Sequence, residues 1–177
     1  KGIEVDNFAQ AIKDILEGNK TAISHAEARD IVNKYFAELE EKMNAASIEQ
    51  GVQFLEENKK RPNVVTLPSG LQYEVINEGK VGTYAKATDQ VKCHYEGTLI
   101  DGTLFDSSIK RGQPAVFGVN QVIPGWVEAL QLMPEGAKWK LYIPSDLAYG
   151  AQGAGEMIPP HSTLIFEVEL LEILSQK

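Results

Sequence analysis

Proline and glycine divide this chain at Pro62, and that division constrains the fold more than any other feature. Before Pro62 the sequence is helical in pattern and nearly free of both residues; after it, glycines and prolines punctuate short β-type runs. A stretch without breakers sustains long helices, whereas frequent turn residues cut a chain into strands. Two parts are expected: an N-terminal helical region over 1–62 and a second domain over 63–177. At 177 residues the second part is long enough to bury a core of its own.

The first helix is predicted from Asp6, its N-cap, to about Leu16, with Val5, Phe8, Ile12 and Ile15 near helical spacing and Gly18 as C-terminal cap. A second helix is predicted from Ser24, because Ser24-His25-Ala26-Glu27 forms a capping box in which the serine oxygen and Glu27 each satisfy an orphan backbone donor. No breaker follows until Pro62 except Gly51, which costs about 1 kcal/mol without ending a helix. Ala28, Ile31, Tyr35, Leu39 and Met43 make one apolar stripe, while Glu40 to Gln50 is thinly apolar. Pairs such as Asp30–Lys34 and Glu38–Lys42 support such a helix in water. Continuous from Ser24 to Asn58, it would span roughly 50 Å at ~1.5 Å per residue and act as a solvated strut. The other reading is two shorter helices, broken at Gly51 and folded against the second domain. The first helix is too short to stand alone, so its apolar stripe needs cover from Ile31, Tyr35 and Leu39. Apolar surface is still left over for a two-fold mate, and a homodimer through 1–62 is expected.

Beyond Pro68-Ser69-Gly70 the period changes from helical to two. Leu71, Tyr73 and Val75 alternate with Gln72 and Glu74; Val91, Cys93 and Tyr95 alternate with Lys92, His94 and Glu96. Trp139, Leu141 and Ile143 alternate with Lys138, Lys140 and Tyr142, and Leu164, Phe166, Val168 and Leu170 alternate with Glu167 and Glu169. Strands with one buried and one wet face build an antiparallel sheet. Asp101-Gly102 marks a turn between two of them. The one helical segment in this part is Gly125 to Leu132, stopped by Pro134. The predicted class is α+β, a twisted antiparallel sheet wrapped on one short helix, preceded by the helical region and its long connecting helix.

Charge and composition exclude several functions. The net charge is −8 with no Lys/Arg cluster, which argues against a nucleic-acid backbone or an anionic membrane as partner. No apolar run approaches the ~20 residues that span a bilayer, so no membrane span is expected. Cys93 is the single cysteine, which excludes an internal disulfide framework. The first residue is Lys1 rather than Met, so a missing signal peptide is uninformative. A cytoplasmic location is expected, with the periplasm or cell envelope as the alternative. His25, His94 and His161 have no metal-ligand spacing, and neither a metal nor a cofactor is expected.

Bulky aromatics are spread across the strands and turns from Val91 to Phe166, with a carboxylate, Asp106, among them. The sequence Cys93-His94-Tyr95-Glu96-Gly97 is followed by Asp101-Gly102-Thr103-Leu104-Phe105-Asp106-Ser107-Ser108. Then come Val122-Ile123-Pro124-Gly125-Trp126, Ala148-Tyr149-Gly150, Ile158-Pro159-Pro160 and Leu164-Ile165-Phe166. Aromatics with a few polar groups suit a concave site for a small ligand. In order and spacing, these motifs resemble the FKBP-type peptidyl-prolyl isomerases over roughly Leu67 to Lys177. The N-terminal third resembles the dimerising region of their Mip-like bacterial branch. By that resemblance, Tyr95, Phe105, Phe117, Val122, Ile123, Trp126, Tyr149, Ile158 and Phe166 line a pocket between sheet and helix. Trp126 lies under the proline ring, Tyr149 donates its hydroxyl to a substrate carbonyl, and Ile158 offers its backbone N–H. Asp106 matches the family's pocket carboxylate, oriented by Arg111 and Tyr95.

The resemblance implies an enzyme that accelerates X-Pro isomerisation in unfolded or flexible proline-containing chains, with chaperone-like activity and inhibition by tacrolimus and rapamycin. The alternative is a non-catalytic folding chaperone or a module that binds proline peptides. Two departures bear on specificity. Ala115 stands where eukaryotic members often place an aromatic, and the loop from Gly150 to Met157 lacks the histidine and proline that some members carry. Taken singly, Phe117 and Phe166 read as plain core, Asp106 as a turn cap and Cys93 as a small core residue. Ser107-Ser108 lacks a nucleophile-elbow context.

Overall fold

A computed structural model describes Lys13 and residues 25–174. Apart from Lys13, the predicted first helix with its stripe, and the Ser24 end of the capping box, lie outside the described residues. The long helix α1 runs His25–Asn58 without a break at Gly51, so the continuous reading holds. Two compact units are found, 1–45 and 46–177, and not the expected division at Pro62. The reason is that the last turns of α1 are packed on the sheet.

Within the second unit the chain forms β1 (Val64–Thr66), β2 (Gln72–Asn77), β3 (Lys80–Tyr84), β4 (Gln90–Leu99) and β5 (Leu104–Ser107). It continues through α2 (Ser108–Arg111), β6 (Ala115–Gly118), α3 (Pro124–Leu132), β7 (Pro134–Glu135), β8 (Lys138–Ile143) and β9 (Leu164–Leu174). The main sheet is antiparallel with order β1-β2-β8-β9-β4-β5, and β6 also pairs with β4. β4 pairs with β9 along one edge; its other edge takes β6 opposite Gln90–Cys93 and β5 opposite Glu96–Thr98. The chain between those two partners is thereby gathered into α2. A small second sheet joins β3 to β7.

The period of two is realised on the inner face, where Val91, Cys93, Leu141, Ile143, Val168 and Leu170 are fully buried. α3 covers that face. Pro124 sits at its first position, where the missing N–H costs nothing. A Cβ on Gly125 would stand 2.6 Å from Ile143 Cγ2, so glycine is what lets the helix lie this close to β8.

On the outer face the expected wet side is not uniformly wet. Tyr142, placed there by the alternation, is buried, because Phe54 of α1 packs on it with ring centroids 5.9 Å apart. Arg61 donates to Tyr142 Oη at 2.9 Å and to Glu74 at 2.9 Å. Asn58 Nδ2 donates to Gln72 Oε1 at 2.9 Å, and Gln72 Nε2 donates to the Leu55 carbonyl at 2.9 Å. Asn58 and Gln72 are both buried, and each polar group has its partner, as burial requires. Gly51 is part of the same contact: a Cβ there would meet Thr163 Oγ1 at 2.5 Å.

Candidate active site

Between the inner face of the sheet and α3 lies a cavity of about 600 Å³. Its walls are Tyr95 of β4, Phe105 and Asp106 of β5, Phe117 of β6 and Phe166 of β9, with Val122, Ile123 and Trp126 from the start of α3. Tyr149, Ala154, Met157 and Ile158 close it from the long loop before β9, and Gln121 completes it. The cavity is organised around Trp126. Three rings meet it edge to face: Phe166 at 5.2 Å and 84°, Tyr95 at 5.3 Å and 84°, and Phe117 at 5.5 Å and 82°. Such perpendicular pairs add about 0.5–1.5 kcal/mol each beyond area burial. Phe105 meets Phe166 the same way at 5.4 Å and 85°. That pair depends on Gly97, because a Cβ there would lie 2.6 Å from both rings.

Asp106 is held from two sides. Tyr95 Oη donates to Oδ2 at 2.6 Å, and Arg111 Nη1 donates to Oδ1. Arg111 Nη2 also donates to Tyr95 Oη at 2.8 Å, closing a three-membered network. One turn of helix makes this possible. Ser107 caps α2 by accepting from the Lys110 N–H at 3.1 Å, and Gly112 ends it in the left-handed region at φ +74°. The cap is therefore Ser107, and the carboxylate of Asp106 is left for the pocket. Ser108, fully buried, accepts from the Tyr95 N–H at 2.8 Å and thus serves as a bracket for β4.

Burial pushes the Asp106 carboxyl up. Hydrogen bonds from Tyr95 and Arg111, with the guanidinium charge, outweigh it and hold the group below the usual aspartate range. Burial, then the bond to Asp106, pushes the Tyr95 phenol up. Hydrogen bonds to Tyr95 and then to Asp106 raise Arg111 further. At neutral pH the network is carboxylate, phenol and guanidinium, with no group poised to exchange a proton.

Ten of the eleven expected residues line this cavity. Arg111 does not; it is half exposed and acts on Asp106 and Tyr95 from behind the wall. The Ile158 N–H, expected to face substrate, instead donates to the Ala154 carbonyl at 3.1 Å. The N–H of Ile123, at the mouth of α3, has no acceptor among the described residues, and neither has the Tyr149 hydroxyl. Gln121, Ala154 and Met157 were not foreseen, since a polar turn and a glycine-rich loop carry no periodic signal. Ala115 lies outside the cavity lining.

The family profile described as FKBP-type peptidyl-prolyl cis-trans isomerase matches residues 82–171. The chain belongs to the FKBP-type peptidyl-prolyl cis-trans isomerases. A second profile, the domain amino terminal to FKBP-type peptidyl-prolyl isomerase, matches 1–75. The FKBP-type 22 kDa peptidyl-prolyl cis-trans isomerase of Escherichia coli is 50% identical, over 98% of this chain and 85% of its own. Outer membrane protein MIP of Legionella longbeachae is 42% identical, over 98% and 78%. The crystal structure of FkpA from Escherichia coli superposes with a TM-score of 0.78 at 36% identity, covering 99% of this chain and 84% of FkpA. This FKBP-type chain is therefore an isomerase with the helix-then-sheet architecture of its relatives. No helix among the described residues is long and apolar enough to cross a membrane.

Proposed function

We propose that the cavity around Trp126 is where the X-Pro bond turns, by selective binding of the twisted amide. Rotation is slow because twisting abolishes amide resonance, against a barrier of ~18–20 kcal/mol. No bond to the protein forms, so neither nucleophile nor base is required. The twisted amide is less polar than the planar one, and a dry aromatic cavity favours it; each ~1.4 kcal/mol of preference is tenfold in rate. The observation that carries this reading is Asp106 locked as a carboxylate by Tyr95 and Arg111 inside a wall of rings. Tyr149 Oη and the Ile123 N–H are the free donors for the flanking carbonyls, and the proline ring lies on Trp126. The Ile158 N–H serves only if its bond to Ala154 opens.

Substrates are unfolded or flexible proline-containing chains, and tacrolimus and rapamycin occupy the same cavity. In a protease-coupled assay on a short proline peptide, Phe105→Ala and Asp106→Leu lower turnover by about tenfold or more with the fold intact. Full activity in both refutes the site assignment. Retained activity at micromolar rapamycin refutes the inhibitor reading alone.

We also propose a homodimer through 1–62 with chaperone-like gripping of unfolded chains. Phe36 and Met43 of α1 are exposed and fit such an interface. Of the two compartments, the envelope is supported by likeness to a relative named as an outer membrane protein; the cytoplasm finds no such support. Cell fractionation tests this.

A further inference from the structure

Among the hydrophobic walls of the cavity, Met157 and Tyr149 are the ones open to solvent, and Met157 is the more open of the two. It lies in the turn closed by the paired hydrogen bonds between Ala154 and Ile158, and it is 51% exposed while lining the pocket. The neighbouring Ile158 is buried, so the turn anchors one side chain and presents the next. The other methionines are placed differently: Met133 is fully buried in the core, and Met43 stands on α1 outside the cavity. A thioether needs no ionisation to be oxidised, so access governs its rate. The one thiol is a poor competitor, since Cys93 is fully buried and burial pushes it up to about 12, leaving almost no thiolate at neutral pH.

Resting on the reading of this cavity as the isomerase pocket, we infer that Met157 is a modification site, at which a peroxide oxidises the thioether to the sulfoxide and thereby switches the pocket off reversibly. In the forward step two electrons pass from sulfur to the O–O bond. One peroxide oxygen ends on sulfur, and the other leaves as water with both protons. In the return step a dithiol-dependent sulfoxide reductase removes the oxygen as water while the dithiol becomes a disulfide. The consequence follows from the chemistry of the wall. An apolar side chain becomes polar and chiral, carrying a strong hydrogen-bond acceptor. That acceptor draws water into a cavity whose preference for the twisted amide depends on being dry.

The test uses the whole chain, hydrogen peroxide and peptide mass spectrometry. Each protein's rate on a short proline peptide is divided by its own untreated rate. The expected result is that Met157 gains one oxygen well before Met133. Activity falls by roughly fivefold or more in proportion to Met157 sulfoxide, and reductases for both sulfoxide epimers restore it. Met43→Leu loses rate as the parent does, whereas Met157→Leu keeps its own rate under peroxide. Three results overturn the inference: full activity with Met157 mostly oxidised, the same loss in Met157→Leu, or Met133 oxidised as fast as Met157. Untreated Phe105→Ala and Asp106→Leu, run alongside, judge the pocket reading separately. If both keep full rate, that reading fails, while a loss that tracks Met157 sulfoxide still supports modification.

Discussion

Gly97 and Asp106 show how single positions set the chemistry. Gly97 faces two pocket rings at a distance that no Cβ can occupy, so Gly97→Ala must displace Phe105, Phe166 or the strand. Overpacking of this kind costs about 1–3 kcal/mol. A displaced ring also spoils a cavity that works by fit, so kcat/KM should fall about tenfold. Denaturant titration and the peptide assay measure the two effects, and a fully active variant would show that the rings yield freely. At Asp106 the three shifts point outward: the carboxyl is lowered, the phenol and the guanidinium raised. None of the three changes charge between about pH 5 and 9, so the pH–rate profile on a short peptide should be flat there. A bell-shaped profile would mean that a proton is transferred after all. For stability the sign is that of a depressed carboxyl. Its contribution is complete above the ordinary aspartate value near pH 4 and is lost as pH falls through the lower folded value. The stability gap between the parent and Asp106→Asn should therefore shrink on acidification below about pH 4.

At the scale of elements, the contact between the end of α1 and the sheet reverses a common expectation. Replacing a helix-interior glycine by alanine usually stabilises, by about 1 kcal/mol. At Gly51 the added methyl meets Thr163 Oγ1 at 2.5 Å, so Gly51→Ala should lower the denaturation midpoint. Removing the obstacle in Gly51→Ala with Thr163→Ala should recover the loss and let the propensity gain emerge. A more stable single variant would show that the helix shifts at little cost. The same contact explains why the strand pattern misjudged Tyr142. Alternation reports which residues share a face of a strand, and says nothing of what a distant segment lays over that face.

For the whole molecule, the division after Ala45 decides how the helical region should be removed. A version starting at Val64 loses the α1 turns that cover Tyr142 and Gln72, whereas one starting at Ala46 keeps them. Both should isomerise short peptides, but the Val64 version should melt several degrees lower, since one or two kcal/mol moves a domain of this size by that much. If the dimer forms through 1–62, light scattering should find the full chain dimeric and both shortened forms monomeric. Two linked sites gain avidity for a long chain, so only the full protein should speed proline-limited refolding of a whole protein. Equal refolding rates, or a dimer that survives the deletion, would assign the region another role.

Much of this was legible in the residues themselves. The switch from helical to two-residue periodicity, α3 between Pro124 and Pro134, and the ordered aromatic motifs are local patterns, and the local backbone follows them. The resemblance these motifs carry reached ten residues of the cavity lining. What it could not reach lies in turns without period and, for Gly51 and Thr163, in a contact between segments far apart in sequence. That Arg111 orients Asp106 was within its reach; that it does so from behind the wall, brought back by one turn of α2, was not. The Ile158 N–H is taken by a partner four residues away while that of Ile123 stays free. Gln121, Ala154 and Met157 enter the site through turns without period, and Gly51 is needed only because Thr163 is there. Periodicity encodes which face of an element is apolar; the tertiary packing alone decides what that face meets.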